Sequence, residues 1–166
     1  MANDGSETSI IEQWIADTLA ALTDSGSSLP GNKVFKTADK WTGQVSADSS
    51  GAEAFIRYAP FAFVAYIPSD AFREGGDDLR QPWEFAVAIG VTSITAGVAR
   101  FGDPHHLGAN KIEQLVIAAI DHKRPSDAAV KCDDLKFQGS ILVIDRPTVR
   151  QIQMNFTADR TGDLSA

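Results

Sequence analysis

The sequence predicts an α+β fold, in which a largely antiparallel mixed sheet carries two main helices packed on one face. Two stretches have apolar residues at helical spacing, and the strand-like stretches lie in two groups, one between the helices and one after them. Strands that follow one another with few crossovers favour antiparallel pairing. The 166 residues suffice for one domain. We expect that domain over residues 9–158, after a disordered lead-in at 1–8 and before a flexible tail at 159–166.

The first predicted helix begins at a capping pattern, Ser9 with Glu12 three residues later. Its apolar residues recur every three or four positions, so one side of the helix is apolar. They are Ile11, Trp14, Ile15, Leu19 and Leu22. A Gly- and Ser-rich run at 24–31 ends the helix. A short strand is predicted at 33–36, a loop or hairpin at 37–51, and a short helix at 52–58.

The central strands are predicted at 61–67 and 83–91. The first is apolar on both faces, as expected for a covered strand. In the second, Trp83 and Val87 belong to a large apolar face, whereas Ala88 and Gly90 belong to a face of small residues that allows something to pack closely. A second helix is predicted at 107–122. Its buried face comprises Ile112, Leu115, Val116, Ala119 and Ile120.

The last two strands are predicted at 135–144 and 148–158. The short segment Asp145, Arg146 and Pro147 between them reads as a tight turn, so the two strands are expected to form a hairpin.

Composition and motifs argue against catalysis and against nucleic-acid binding. The net charge is −7, the chain has no basic patch, and no apolar run reaches the length of a membrane span. A single cysteine, Cys132, excludes an intramolecular disulfide. His105 and His106 beside Asp103 allow a metal site, although a capping or loop role is the simpler interpretation. We therefore expect no enzyme activity, no cofactor and no metal.

Large aromatic residues beside polar loops are the candidates for protein contacts. Trp41, Phe72 and Trp83 either fold back onto the core or anchor a subunit interface, where aromatic residues are enriched. The loop between 69 and 82 also carries charged residues that suit an interface rim. These are Arg73, Asp77 and Asp78.

The order of elements resembles the small tail proteins of Mu-like contractile-tailed phages and, more distantly, tail terminator proteins. The likeness covers most of 9–158. It rests on the opening helix at 10–22, the strand pair at 61–67 and 83–89, the stretch 100–120 with its helix after a Gly-rich turn, and the closing hairpin.

The resemblance implies a virion structural protein, made in the host cytoplasm and located at the neck region of the tail. It implies a ring, usually of six copies, that caps the tail tube and sheath and docks to the head-side connector. DNA would pass through an acidic lumen without specific binding. The alternatives are another neck or head-completion protein and, in a different class, a small-molecule-binding or hydrolytic domain that uses the His105 and His106 region.

Overall fold

The computed structural model describes residues 6–44, 57–68, 82–93, 97–104, 106–127 and 129–160. Within these ranges the helices are α1 (Glu7–Ala20), α2 (Val98–Phe101) and α3 (Ala109–Ile120), and a short 3-10 helix spans Pro30–Asn32. The strands are β1 (Thr37–Lys40), β2 (Phe61–Ile67), β3 (Trp83–Thr92), β4 (Lys136–Arg146) and β5 (Val149–Ala158).

The strands form one five-stranded sheet in the order β1-β2-β3-β5-β4. Only β1 and β2 pair in parallel, and the other three pairings are antiparallel. The predicted largely antiparallel mixed sheet is therefore confirmed. The predicted hairpin is confirmed as well, with Asp145 and Arg146 still in β4 and the turn at Pro147 and Thr148.

One face of the sheet carries both main helices. The apolar residues of α1 and α3 belong to a single cluster with alternate residues of β2, β3 and β5. The fully buried helix residues in it are Ile11, Ile15, Leu19, Ile112, Val116 and Ile120. This cluster is the hydrophobic core, and the two-helix, one-face arrangement follows from it.

The opposite face has a smaller apolar cluster built on aromatic rings. Phe61 and Phe63 are buried there, and Tyr58, Ile144 and Val149 pack against the same cluster. Phe61 lies opposite Gly90 of β3 and Phe63 lies opposite Ala88. The small residues of β3 are therefore paired with aromatic residues of β2, which accounts for part of the small-residue face.

The start of α1 differs from the prediction. Ser6 is the capping residue, and its hydroxyl accepts from the Ser9 backbone N–H at 3.2 Å. Glu12 does not close a capping box; its carboxylate accepts from the backbone N–H of Tyr66 at 2.9 Å. The helix begins earlier because Ser6 satisfies its first free N–H groups, which releases Glu12 to fix α1 to the sheet.

The strand predicted at 33–36 lies instead at β1. Pairing begins at Thr37, because the partner strand β2 begins opposite it at Phe61. Directly before β2, the Pro60 carbonyl accepts from the N–H groups of both Lys36 and Thr37. The loop or hairpin predicted at 37–51 is thus wrong for its first four residues, and 45–51 lie outside the described residues. Of the helix predicted at 52–58, Arg57 and Tyr58 are described, and they are helical.

The chain termini are described only in part. Asp159 and Arg160, the first residues of the predicted flexible tail, are tied to the preceding loop. The carbonyl of Asp159 accepts from the N–H of Asp133 at 2.7 Å, and Arg160 forms a bridge with Cys132. Residues 161–166 lie outside the described ranges.

The burial of α3 allows a matched stability test. Ile112 is fully buried, whereas Leu115, which the pattern placed on the buried face, is only half-buried. We predict that Ile112→Ala lowers the free energy of unfolding by about 2–5 kcal/mol, because it leaves a cavity. Leu115→Ala should lower it by clearly less. Urea unfolding of both variants measures the difference, and equal losses would contradict the observed orientation of α3.

Candidate self-association surface

The edge strand β4 exposes large apolar side chains in its middle. Ile141 is 56% exposed, Leu142 48% and Val143 39%. We call these three residues the 141–143 segment. Exposed apolar side chains are common singly, but a contiguous group on a sheet edge marks an interaction surface.

The backbone of this edge is open on its outer side. The N–H of Phe137 is covered, because it donates to the carboxylate of Asp121 at 2.9 Å. Beyond it, no group outside β5 hydrogen-bonds to the backbone of residues 139–146 in the described part of the chain. Register shifts between Phe137 and Gly139 and between Leu142 and Ile144 interrupt the pairing with β5. The regular stretch between these shifts contains two residues of the 141–143 segment.

Charged residues are confined to the two ends of β4. Residues 137–144 carry none, whereas Lys136 begins the strand and Asp145 and Arg146 end it. Lys136 pairs with Asp159 at 3.5 Å, and Asp145 pairs with Arg150 at 2.8 Å. Soluble proteins usually place charges on an exposed edge strand to prevent association, so an uncharged apolar middle favours association.

The other edge of the sheet, β1, has a different chemistry. The N–H groups of Thr37 and Trp41 point towards β2, so the N–H of Lys40 points outward, where the carboxylate of Asp39 accepts it at 2.8 Å. The Lys40 side chain is buried on the helix-covered face, where its Nζ donates to Ser9 Oγ at 2.9 Å. This edge is therefore short, and its own carboxylate blocks part of it.

Trp41 is exposed beside this blocked edge. Its N–H donates to the carbonyl of Val64 at 2.8 Å, so it continues the strand alternation from Lys40 and lies on the opposite face. Ile67 of β2 is also exposed on that face. Trp41 and Ile67 therefore form a second exposed apolar group, at the opposite edge of the sheet from the 141–143 segment.

The structure separates the two tryptophans that the sequence grouped as contact candidates. Trp41 is 51% exposed, but Trp83 is only 9% exposed and belongs to the core cluster, with the Arg160 guanidinium 4.7 Å from its ring centre. For Trp83 the structure thus favours the core interpretation. The other predicted contact residues lie outside the described residues: Phe72, Arg73, Asp77 and Asp78.

The 141–143 segment was missed from sequence because it was interpreted only as part of a hairpin. The available signal was the run of four apolar residues at 141–144, which breaks strand alternation directly before a charged turn. Such a run has apolar side chains on both faces, and an edge strand cannot bury both. Edge position depends on the strand order, which the sequence pattern did not specify.

A cleft of about 70 Å³ lies where β3 ends and α3 begins. Most of its lining is apolar, and three hydroxyls and one imidazole complete it. The lining residues are Ser27, Ser28, Leu29, Val34, Pro60, Val91, Thr92, His106, Leu107 and Ile112.

His106, whose imidazole lines the cleft, contacts a carboxylate. The Nδ1 of His106 lies 3.0 Å from Asp103 Oδ1. His105 lies outside the described residues. In the described ranges no three His, Cys, Asp or Glu side chains group together as metal ligands.

Cys132 lies inside the core, and burial raises the pKa of its thiol. Since the thiolate is the reactive form, this position is a poor nucleophile.

The chain matches no protein-family model, and no curated protein sequence matches it significantly. Among the described residues, no helix is both long and apolar enough to span a bilayer.

The two tryptophans should respond differently to truncation. We predict that Trp83→Ala lowers the free energy of unfolding by about 3–5 kcal/mol, as expected for a buried aromatic residue. Trp41→Ala should change it by no more than about 0.5 kcal/mol, because the side chain is exposed. Urea unfolding of the two variants under one set of conditions compares them, and a large loss in Trp41→Ala would show that Trp41 serves the fold.

Proposed function

We propose that this protein is a structural, non-enzymatic subunit that forms a ring at the head-proximal end of a phage tail, as a tail terminator. The ring, expected to contain six copies, caps the tail tube and sheath and meets the head-side connector. The order of elements, which resembles that of small tail proteins, supports the proposal, and so do the apolar surfaces that the folded subunit exposes.

One observation carries the proposal: the sheet exposes apolar side chains at both edges, and the two groups differ. The 141–143 segment occupies β4, and Trp41 with Ile67 lies at the β1 edge. A closed ring needs a head-to-tail contact, in which each subunit presents two different surfaces. If both edges carried the same apolar group, these groups would not distinguish a head surface from a tail surface.

The charge of the chain is compatible with a ring around DNA. The net charge is −7, so the long-range field of the subunit repels the phosphate backbone. A lumen lined by such subunits would let DNA pass without holding it. Phosphate binding, by contrast, needs clustered Lys and Arg side chains.

Deleting the gene in the phage that encodes this chain tests the function. We predict tails of abnormal length or without a cap by electron microscopy, because nothing ends polymerisation of the tube. Complementation with the unaltered gene should restore normal tails. Tails of normal length, joined to heads in the absence of the gene, would contradict the proposed function.

The contribution of the β4 edge is tested by complementation with Ile141→Lys, Leu142→Lys. Both side chains are exposed, so the variant should fold, and it should fail to restore tail length because the new charges prevent the apolar contact. The control is Phe101→Lys, at an apolar residue that is 69% exposed and belongs to α2 rather than to β4. If the β4 variant restores normal tails, the edge is not the contact surface.

A small-molecule-binding domain is the second candidate, and the cleft beside His106 and Asp103 is the observation that favours it. Complementation with Ile141→Lys, Leu142→Lys separates the two functions. The terminator function predicts abnormal tails with this variant, whereas a small-molecule-binding domain predicts normal tails, because neither residue lines the cleft. Normal tails with this variant in a folded protein would favour the second candidate.

A further inference from the structure

The apolar cleft and the 141–143 segment lie at different strands of the sheet. The cleft includes Val34 and Pro60, which flank the starts of β1 and β2, and Leu107 and Ile112 from the region of α3. The 141–143 segment lies on β4, at the far edge of the β1-β2-β3-β5-β4 sheet. Because β5 lies between β4 and the strands that line the cleft, one subunit cannot fill its own cleft with its own edge strand, and an apolar side chain in the cleft has to come from another molecule.

The size and lining of the cleft suit an aliphatic side chain. A cavity needs roughly 10–15 Å³ to hold one water, so the cleft of about 70 Å³ is larger than a single water site. The apolar side chains of the lining offer no hydrogen bonds; they belong to Leu29, Val34, Val91, Leu107 and Ile112. Water in such a space is poorly held, and an apolar side chain that displaces it gains the hydrophobic contribution.

The charges around the two surfaces are complementary. The Asp24 carboxylate and Leu107, which lines the cleft, both lie close to Gly26, and the Asp103 carboxylate contacts His106, which also lines the cleft. At the end of β4, three residues after the 141–143 segment, Arg146 is exposed. Asp145 before it is paired with Arg150. The two carboxylates beside the cleft thus complement the charge of Arg146, which favours one relative orientation of two copies.

We propose that the partner of the 141–143 segment is the cleft of a second copy of this chain, with Ile141 or Leu142 inserted into the cleft and Arg146 beside the carboxylates of Asp24 and Asp103. The contact is head-to-tail, because segment and cleft are different surfaces of one subunit. This inference rests on the self-assembly in the proposed function, and it places the cleft, rather than Trp41 and Ile67, opposite the 141–143 segment of the neighbour.

Disulfide trapping tests the contact in the purified full-length chain. Cys132 is buried, so Ile141→Cys and Ser28→Cys each supply one accessible thiol, the first on β4 and the second at the cleft rim. We mix equal amounts of the two folded variants under mild oxidation and identify the products on non-reducing gels and by mass spectrometry. The expected product is the mixed 28–141 disulfide, several-fold more abundant than either homodimer. A mixture of Phe101→Cys with Ser28→Cys is the matched control and should give no such excess.

The cross-linked products distinguish this contact from other arrangements of two subunits. A dominant 141–141 disulfide would show that β4 pairs with β4 about a two-fold axis, and it would overturn the proposal. No excess of any cross-link over the Phe101→Cys control would overturn it too. Tail length after gene deletion is measured independently, so the terminator function can stand while this contact fails, and this contact can stand while the terminator function fails.

Discussion

The ten-residue pairing of β3 with β5 is the constraint on which the core depends, because it fixes which side chains face the helices. It runs without interruption from Trp83 opposite Ala158 to Thr92 opposite Val149. Side chains alternate between the faces of a sheet, so this register decides which residues face the helices. Phe85 with Phe156 and Val87 with Met154 form matched apolar pairs on the helix-covered face. A slip of one residue would place the amide side chains of β5 in the core.

The helices cover this central strand pair but not the edges of the sheet. The apolar side chains and backbone groups of the edge strands therefore need other partners. Leu142 lies opposite Ile152, which is buried, yet Leu142 itself is about half exposed, so coverage ends between β5 and β4. At the start of β4, Asp121 caps the Phe137 N–H, and Glu113 of α3 accepts from the Ser140 hydroxyl. These contacts hold the strand but leave its apolar middle uncovered. The apolar middle of β4 is thus exposed because of where the helices end, and a second copy can cover it.

Periodicity predicted the elements well, because the side chains of α1, α3, β2, β3 and β5 contact one core on one face. It failed where a neighbour distant in sequence decided the outcome. The pattern of Ser9 and Glu12 predicts a local cap, but Glu12 bonds the N–H of Tyr66. For Trp83 the sequence left the core and an interface open, and its side chain lies in the core. The cleft joins segments from 27 to 112, so no local pattern predicted it. Strand order likewise decided that the apolar run at 141–144 lies on an edge.

Hydrogen exchange of the β4 amides tests most directly whether this edge is the assembly surface. In the free subunit, the amides of residues 139–146 that point away from β5 should exchange quickly, because no group outside β5 bonds to this backbone in the described structure, whereas β5, paired on both sides, should exchange slowly. In the protein assembled on tails, exchange in residues 139–146 should slow markedly while β5 changes little. Unchanged exchange at β4, with protection confined to other segments, would contradict the claim that subunits associate through this edge.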